Sequence, residues 1–519
     1  MSSNISDQSS SVFVPDSLKF YVNRLSFSKN RVRLQALSSQ IANPNGQIIV
    51  RLPSNTMLNM ASLTMTGSVR ASISGAVATE GVALPTNLDY SFIESLSIIS
   101  NGGIISQPFL NYKLIANTLN DVYGGDEKIS NRAGLQGSLP SLLYDYAAVT
   151  AVVGGANLAY VPFSINSWIS PTQSMSPSYI NTNLLGDLEL RLTLSDTSVL
   201  MSGNVTNGNA IAGLQARCTY DMKDINFYIE TASIQSNVLD QLIETRLRSG
   251  EPINIPFENV FSFQQTNSGG SFNQRFSVSS QSINKIIAVT QLAADLVQDG
   301  TQKRFFNGVP QALRRNFNAA TQCQFSINNQ YSPNYMIDSG LNLAFDFSVA
   351  TNVDAPLFST ANLKSYQQSS GLVETVAALD IPDYDYESTH HKLCSTTQMP
   401  FELGLGTPYL TVAANPVVGL TQANQPPASV LRSALTYWFP YDYKSPIDTY
   451  LNEKYVVATS FDLHCDNSRL ISGVNTLGSN SQLFYNVVGG TGAASISTIF
   501  VLCTSMIQVF AGAQLKIIQ

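Results

Sequence analysis

The chain has 519 residues, of which 44% are hydrophobic but only 12% charged, and a formal net charge of −7. That balance argues against a dedicated nucleic-acid binder, which needs a basic stripe or patch, and against long solvent-exposed helices, which draw on Glu and Lys. Five cysteines, odd in number and far apart, do not make a disulfide framework, and no run reaches the roughly 18 apolar residues of a membrane-spanning helix.

Residues 1–18 are Ser-rich and aperiodic, as in a flexible arm. The basic residues Lys19, Arg24, Lys29, Arg31 and Arg33 follow, interleaved with Phe20, Tyr21 and Phe27. Such a cluster suits an arm that touches nucleic acid or a lipid layer. It equally describes a solvated first strand, the better fit for five charges among hydrophobes.

From Ser62 to Arg70 the pattern is that of a strand, with Leu63, Met65 and Val69 on one face and Thr64, Thr66, Ser68 and Arg70 on the other. A second strand spans Ser91–Ile99 and stops at the turn residues Asn101-Gly102-Gly103. Pro108 then reads as a helix start, with Phe109, Tyr112, Ala116 and Leu119 along one side and Gly124-Gly125 as the stop. Residues 126–180 are irregular and rich in Gly, Pro and Ser, the mark of a functional or interfacial loop.

Leu188, Leu190, Leu192 and Leu194 then alternate with Glu189, Arg191, Thr193 and Ser195, and Ile225, Phe227 and Ile229 repeat that pattern. At Asn237–Leu247 the period becomes helical, with Gly250 closing the helix. A domain boundary falls here, near 250. Further strand signals lie at Phe276–Ser279, Ile283–Leu292, Cys323–Ile327, Leu341–Val349, Tyr455–Leu463, Leu483–Val488, Phe500–Phe510 and Leu515–Ile518. Two long loops, roughly 293–320 and 380–450, separate them. No residue-level repeat links the halves, so any duplication is architectural. Few helices and about eight strands per half predict an all-β chain of two consecutive antiparallel sandwiches.

Candidates for chemistry are thin. The histidines are His390, His391 and His464. His390-His391-Lys392-Leu393-Cys394 offers a metal edge, and Asp380, Asp383, Asp385 and Glu387 offer calcium ligands, but neither has a known ligand spacing. A loop-surface role fits both better. His464-Cys465-Asp466 is no triad, because neighbours on a strand point to opposite faces. Lys303-Arg304 and Arg314-Arg315 flank Phe305-Phe306 as a basic loop, read as solvated or in contact with another subunit. No catalytic, cofactor-binding or metal residue is assigned, and an enzyme is not expected.

Several segments resemble, in order, the major capsid proteins of polinton-like viruses and virophages. These are Arg51-Leu-Pro-Ser-Asn-Thr-Met-Leu58 with the strand Leu63–Val69, and Phe92-Ile-Glu-Ser-Leu-Ser-Ile-Ile99 leading to Asn111-Tyr112-Lys113-Leu114. Tyr160-Val-Pro-Phe163 with Leu188–Leu194 resembles a strand pair of that family, and Tyr228-Ile-Glu230 before the 237–247 helix resembles its crossover. Ser472-Gly-Val-Asn-Thr476 resembles a turn before its late strands. The likeness is loose in each piece and spans most of residues 45–510.

It implies two eight-stranded jelly rolls: an arm over 1–27, a first roll with linking helix over 28–250, and a second over 251–519. It further implies a structural major capsid protein of an icosahedral double-stranded DNA virus, working in the virion. Homotrimers would form pseudo-hexagonal capsomers beside penton and minor capsid proteins. The basic N-terminal segment would contact genome or inner membrane weakly, and no cofactor or small-molecule substrate is implied. A viral spike or receptor-binding sandwich is the alternative.

Overall fold

A computed structural model of the chain describes residues 27–123, 160–296, 311–338, 455–462 and 473–518, a few short stretches within these excepted. In the first half, strands β1 (Phe27–Gln35), β2 (Ile41–Ala42), β3 (Gln47–Arg51), β4 (Met57–Ile73), β5 (Glu80–Ala83), β6 (Ile93–Ser100) and β7 (Gly103–Leu110) precede helix α1 (Tyr112–Tyr123). Next come β8 (Val161–Ile165), β9 (Tyr179–Asn181), the single-turn α2 (Thr182–Leu185), β10 (Leu188–Leu194), β11 (Met201–Asn204), β12 (Cys218–Ile234) and the linking helix α3 (Asn237–Arg248). The second half contains β13 (Ile253–Asn267), β14 (Phe272–Phe276), β15 (Ile283–Leu292), α4 (Ala293–Leu296), β16 (Ala320–Ile327), β17 (Gln330–Asp338), β18 (Val457–Ser460), β19 (Leu483–Gly489), β20 (Ser495–Phe510) and β21 (Gln514–Ile518).

Each half is a sandwich of two antiparallel sheets. In the first, the large sheet runs β1-β12-β4-β8 and the small one β3-β10-β6-β7. In the second, the corresponding sheets run β13-β20-β15-β18 and β14-β19-β16-β17. When the eight principal strands of each half are numbered in chain order, both halves read 1-8-3-6 and 2-7-4-5. That order is the jelly roll, in which the chain winds back and forth between two sheets. The duplication expected at the level of architecture is therefore present.

Alternation builds the cores. Leu188, Leu190, Leu192 and Leu194 are all buried, as are Leu63, Met65 and Val69 from β4 and Phe227 and Ile229 from β12. The indole N–H of Trp168 donates to the Leu63 carbonyl at 2.9 Å, which lets an aromatic with a polar edge sit inside. The second large sheet differs. Consecutive residues Ile499, Phe500, Val501 and Leu502 are all buried, and neighbours on a strand face opposite ways, so β20 is covered on both faces. Buried apolar side chains of both rolls form one contiguous cluster.

Three expectations need correcting here. Pro108 does not open a helix but lies in β7, an edge strand, where the register against β6 shifts between Leu96 and Ile98. An edge-strand bulge tolerates the missing N–H. The helix starts four residues on, after Asn111 turns the chain at φ 58°, a conformation Asn accepts more readily than most residues. The 160–163 segment does not pair with Leu188–Leu194: β8 joins β4 in the large sheet, while β10 sits between β3 and β6. The strand placed at Phe276–Ser279 ends at Phe276. The Gly473–Thr476 segment bends ahead of β19 as expected and is tied to β15. Val474 bridges to Ile283 at the start of β15, and the buried Thr476 hydroxyl donates to the Val278 carbonyl at 2.7 Å.

The predicted strand Leu341–Val349, the 380–450 loop and the 1–27 arm lie outside the described residues, except that Phe27 opens β1. All of 126–159 lies outside them as well.

Candidate assembly surface

The outward face of the first large sheet carries an ordered layer of charge and aromatic rings. Lys29 on β1 pairs with Glu230 on β12 at 2.8 Å, and the Tyr179 hydroxyl donates to the same carboxylate. These two donors hold Glu230 down to about 2, against an ordinary value of 4.5. Further along, Arg70 donates to Asp221 at 2.8 Å, and Tyr160 donates to the other carboxylate oxygen. Arg70 at 4.5 Å and Lys223 at 3.9 Å both lie over the Tyr160 ring. That hydrogen bond to Asp221 raises the Tyr160 phenol above its usual range. Register makes these clusters: β12 runs antiparallel to both β1 and β4, so Glu230 stands opposite Arg31 and Asn59, and Asp221 opposite Arg70.

Arg31 and Arg33 remain on the exposed surface of β1. Arg31 lies over the Tyr228 ring at 5.6 Å, and Arg33 donates to Asn226 at 2.9 Å. The described part of the basic cluster is thus the solvated first strand. Lys19 and Arg24 lie outside the described residues.

At the opposite end of the strand order, β17 forms the edge of the second small sheet. It exposes Tyr331 at 52%, Tyr335 at 51% and Met336 at 39%. An apolar edge strand of this kind invites a partner.

The two rolls meet along a seam. α1 and the short turn Thr197–Val199 of the first roll pack against the turn Gln311–Leu313 of the second. Over its first two turns, Tyr112–Thr118, α1 is enclosed all round rather than along one stripe. Its buried Lys113 bridges Glu94 at 2.8 Å and Asp196 at 3.4 Å, while Asn117 and Thr118 donate to carbonyls one turn back. Beyond that turn, Arg314 and Arg315 are buried within the chain, neither solvated nor left for another subunit as expected; Arg315 is 2% exposed. The Gln291 amide donates to the carbonyls of Ala312 and Arg314 at 2.9 and 3.1 Å and ties this segment to β15. A basic dipeptide carries no sequence signal that separates burial from solvation, and this pair is the feature the sequence misplaced.

Cys218, Cys323 and Cys503 are buried. Burial pushes Cys218 and Cys503 up to about 12, which suppresses the reactive thiolate. Glu258 on β13 is raised by burial, an effect opposed by Lys285 and reinforced by Asp462. Among the described residues no group of three or more His, Cys, Asp or Glu comes together to hold a metal. His390, His391, Cys394, Asp380–Glu387, His464–Asp466 and Lys303–Phe306 lie outside the described residues.

No family model matches the chain, and no curated protein sequence does. Solved structures match it in fold. VP54 of PBCV-1, fitted into a reconstruction of the virophage Sputnik, superposes with a TM-score of 0.50 at 9% identity, over 95% of this chain and 97% of that one. The Faustovirus major capsid protein gives 0.50 at 8% identity, over 93% and 91%. With the strand order found twice above, these matches define the class: the chain has the double jelly-roll fold found in viral major capsid proteins. The likeness runs through nearly the whole length of each chain.

Proposed function

We propose that this chain is a structural major capsid protein of a double-stranded DNA virus, resident in the virion shell and without catalytic activity. The repeat of one jelly-roll strand order in both halves carries the reading. Two similar rolls in one chain let three copies form a ring of six, which presents a near-hexagonal outline to its neighbours. The contact is head-to-tail and closes, so the assembly is finite. The low charged fraction of 12% supports it, because neutral polar groups cost less to desolvate at an extensive interface than charges do.

In this reading the chain divides near residue 250, where α3 leaves the first roll, into units 28–250 and 251–519, preceded by an arm. Neighbouring capsomers, penton proteins and minor capsid proteins are its partners. Individually weak contacts suffice between capsomers, since many act at once. No residue is assigned a catalytic, cofactor or metal role.

Negative-stain imaging of the purified chain tests the reading. Hexagonal outlines with threefold symmetry are the expected result. Elongated trimers or solitary particles would instead favour a spike or receptor-binding sandwich.

A further inference from the structure

Because both rolls use the same strand order, a contact made by one pair of edges can be made again by the equivalent pair. Within the chain, β7 lies against β13 without joining it in one sheet. β7 is the outer strand of the first small sheet, and β13 is the outer strand of the second large sheet. Their counterparts by strand order are β17 in the second roll and β1 in the first. Among the described strands, nothing pairs with the outer edge of either β17 or β1.

The side chains on these two edges are complementary. β17 exposes Tyr331, Tyr335 and Met336. β1 exposes Arg31 and Arg33, and just past its end Leu37 is 60% exposed. Tyrosine buries much area for little lost entropy and anchors interfaces well. A guanidinium is weakly hydrated and stacks on aromatic faces. Here both guanidiniums are already steadied, Arg31 by the Tyr228 ring and Arg33 by Asn226.

We propose that β17 of one copy seats on β1 of the next, with Tyr331 and Tyr335 against Arg31 and Arg33, and Met336 toward Leu37. The joint rests on the trimer reading above and assigns the basic first strand to a second copy of this chain rather than to nucleic acid. The same face interleaves Glu230 and Asp221 with its cations, an arrangement that suits a protein partner better than a polyanion.

Sedimentation velocity on the full chain tests it. Tyr331→Lys with Tyr335→Lys places four cations together and is expected to weaken trimer formation roughly 100-fold, with the circular-dichroism melt unchanged. Adding Arg31→Glu and Arg33→Glu to that variant swaps the charges across the joint and restores association, so the test does not depend on the first variant alone. Met336→Cys with Leu37→Cys should give interchain disulfides on oxidation that neither single variant gives. A folded Tyr331→Lys, Tyr335→Lys variant as trimeric as the parent chain overturns the joint while leaving the trimer standing. So does an Arg31→Glu, Arg33→Glu variant that stays trimeric but loses retention on immobilised double-stranded DNA. A parent chain that is monomeric removes the trimer reading as well.

Discussion

Glu230 shows how one side chain on the outer face reports on the fold around it. Its folded value of about 2 lies below the ordinary 4.5 because Lys29 and Tyr179 both favour its charged form. On acidification the unfolded chain therefore binds this proton first, and the folded state loses ground. The stabilisation is complete above about pH 4.5 and fades as pH falls toward 2. Glu230→Gln should flatten this acid-side decline: the urea midpoint of the parent should fall more steeply than that of the variant between about pH 5 and 2.5. Parallel profiles would show that the three groups are not joined in solution. Even at its full extent the effect is modest, since solvent screens ion pairs at the surface.

Among elements, the legible ones were those whose neighbours are the same on every turn of the pattern. β10 and β4 have one dry and one wet face, so their alternation could be read directly, and β15 was placed with its observed ends, Ile283 and Leu292. β13 escaped notice although Ile255 and Phe257 alternate correctly, because Pro256 sits between them. Only the knowledge that β13 is an edge strand makes that proline acceptable. Pro108 misled for the same reason in β7. Arg315 and the enclosed polar side of α1 were illegible because groups distant in sequence bury them, and such neighbours leave no local periodicity.

The Gly473–Thr476 segment shows the same tertiary control and supplies a test. A Cβ at Gly473 would collide with the carbonyl of Ile283, at the point where Val474 bridges to β15. That obstacle is backbone and cannot swing aside. Gly473→Ala should cost about 1–3 kcal/mol in chemical denaturation. A neutral result would mean that this stitch is not made.

For the molecule as a whole, doubling the roll in one chain solves a problem of edges. Each sandwich leaves outer strands that recruit neighbours. The β7–β13 contact covers one pair internally, and in the proposed trimer β17 and β1 cover one another between copies. The strength of that joint should exceed that of contacts between rings, since stable trimers of this kind bury more than about 2,000 Å² per interface.

Native mass measurement tests this most directly. The account predicts a species near 170 kDa, three times the 56.2 kDa chain, persisting on dilution. A single species at 56.2 kDa across the same concentrations would contradict it.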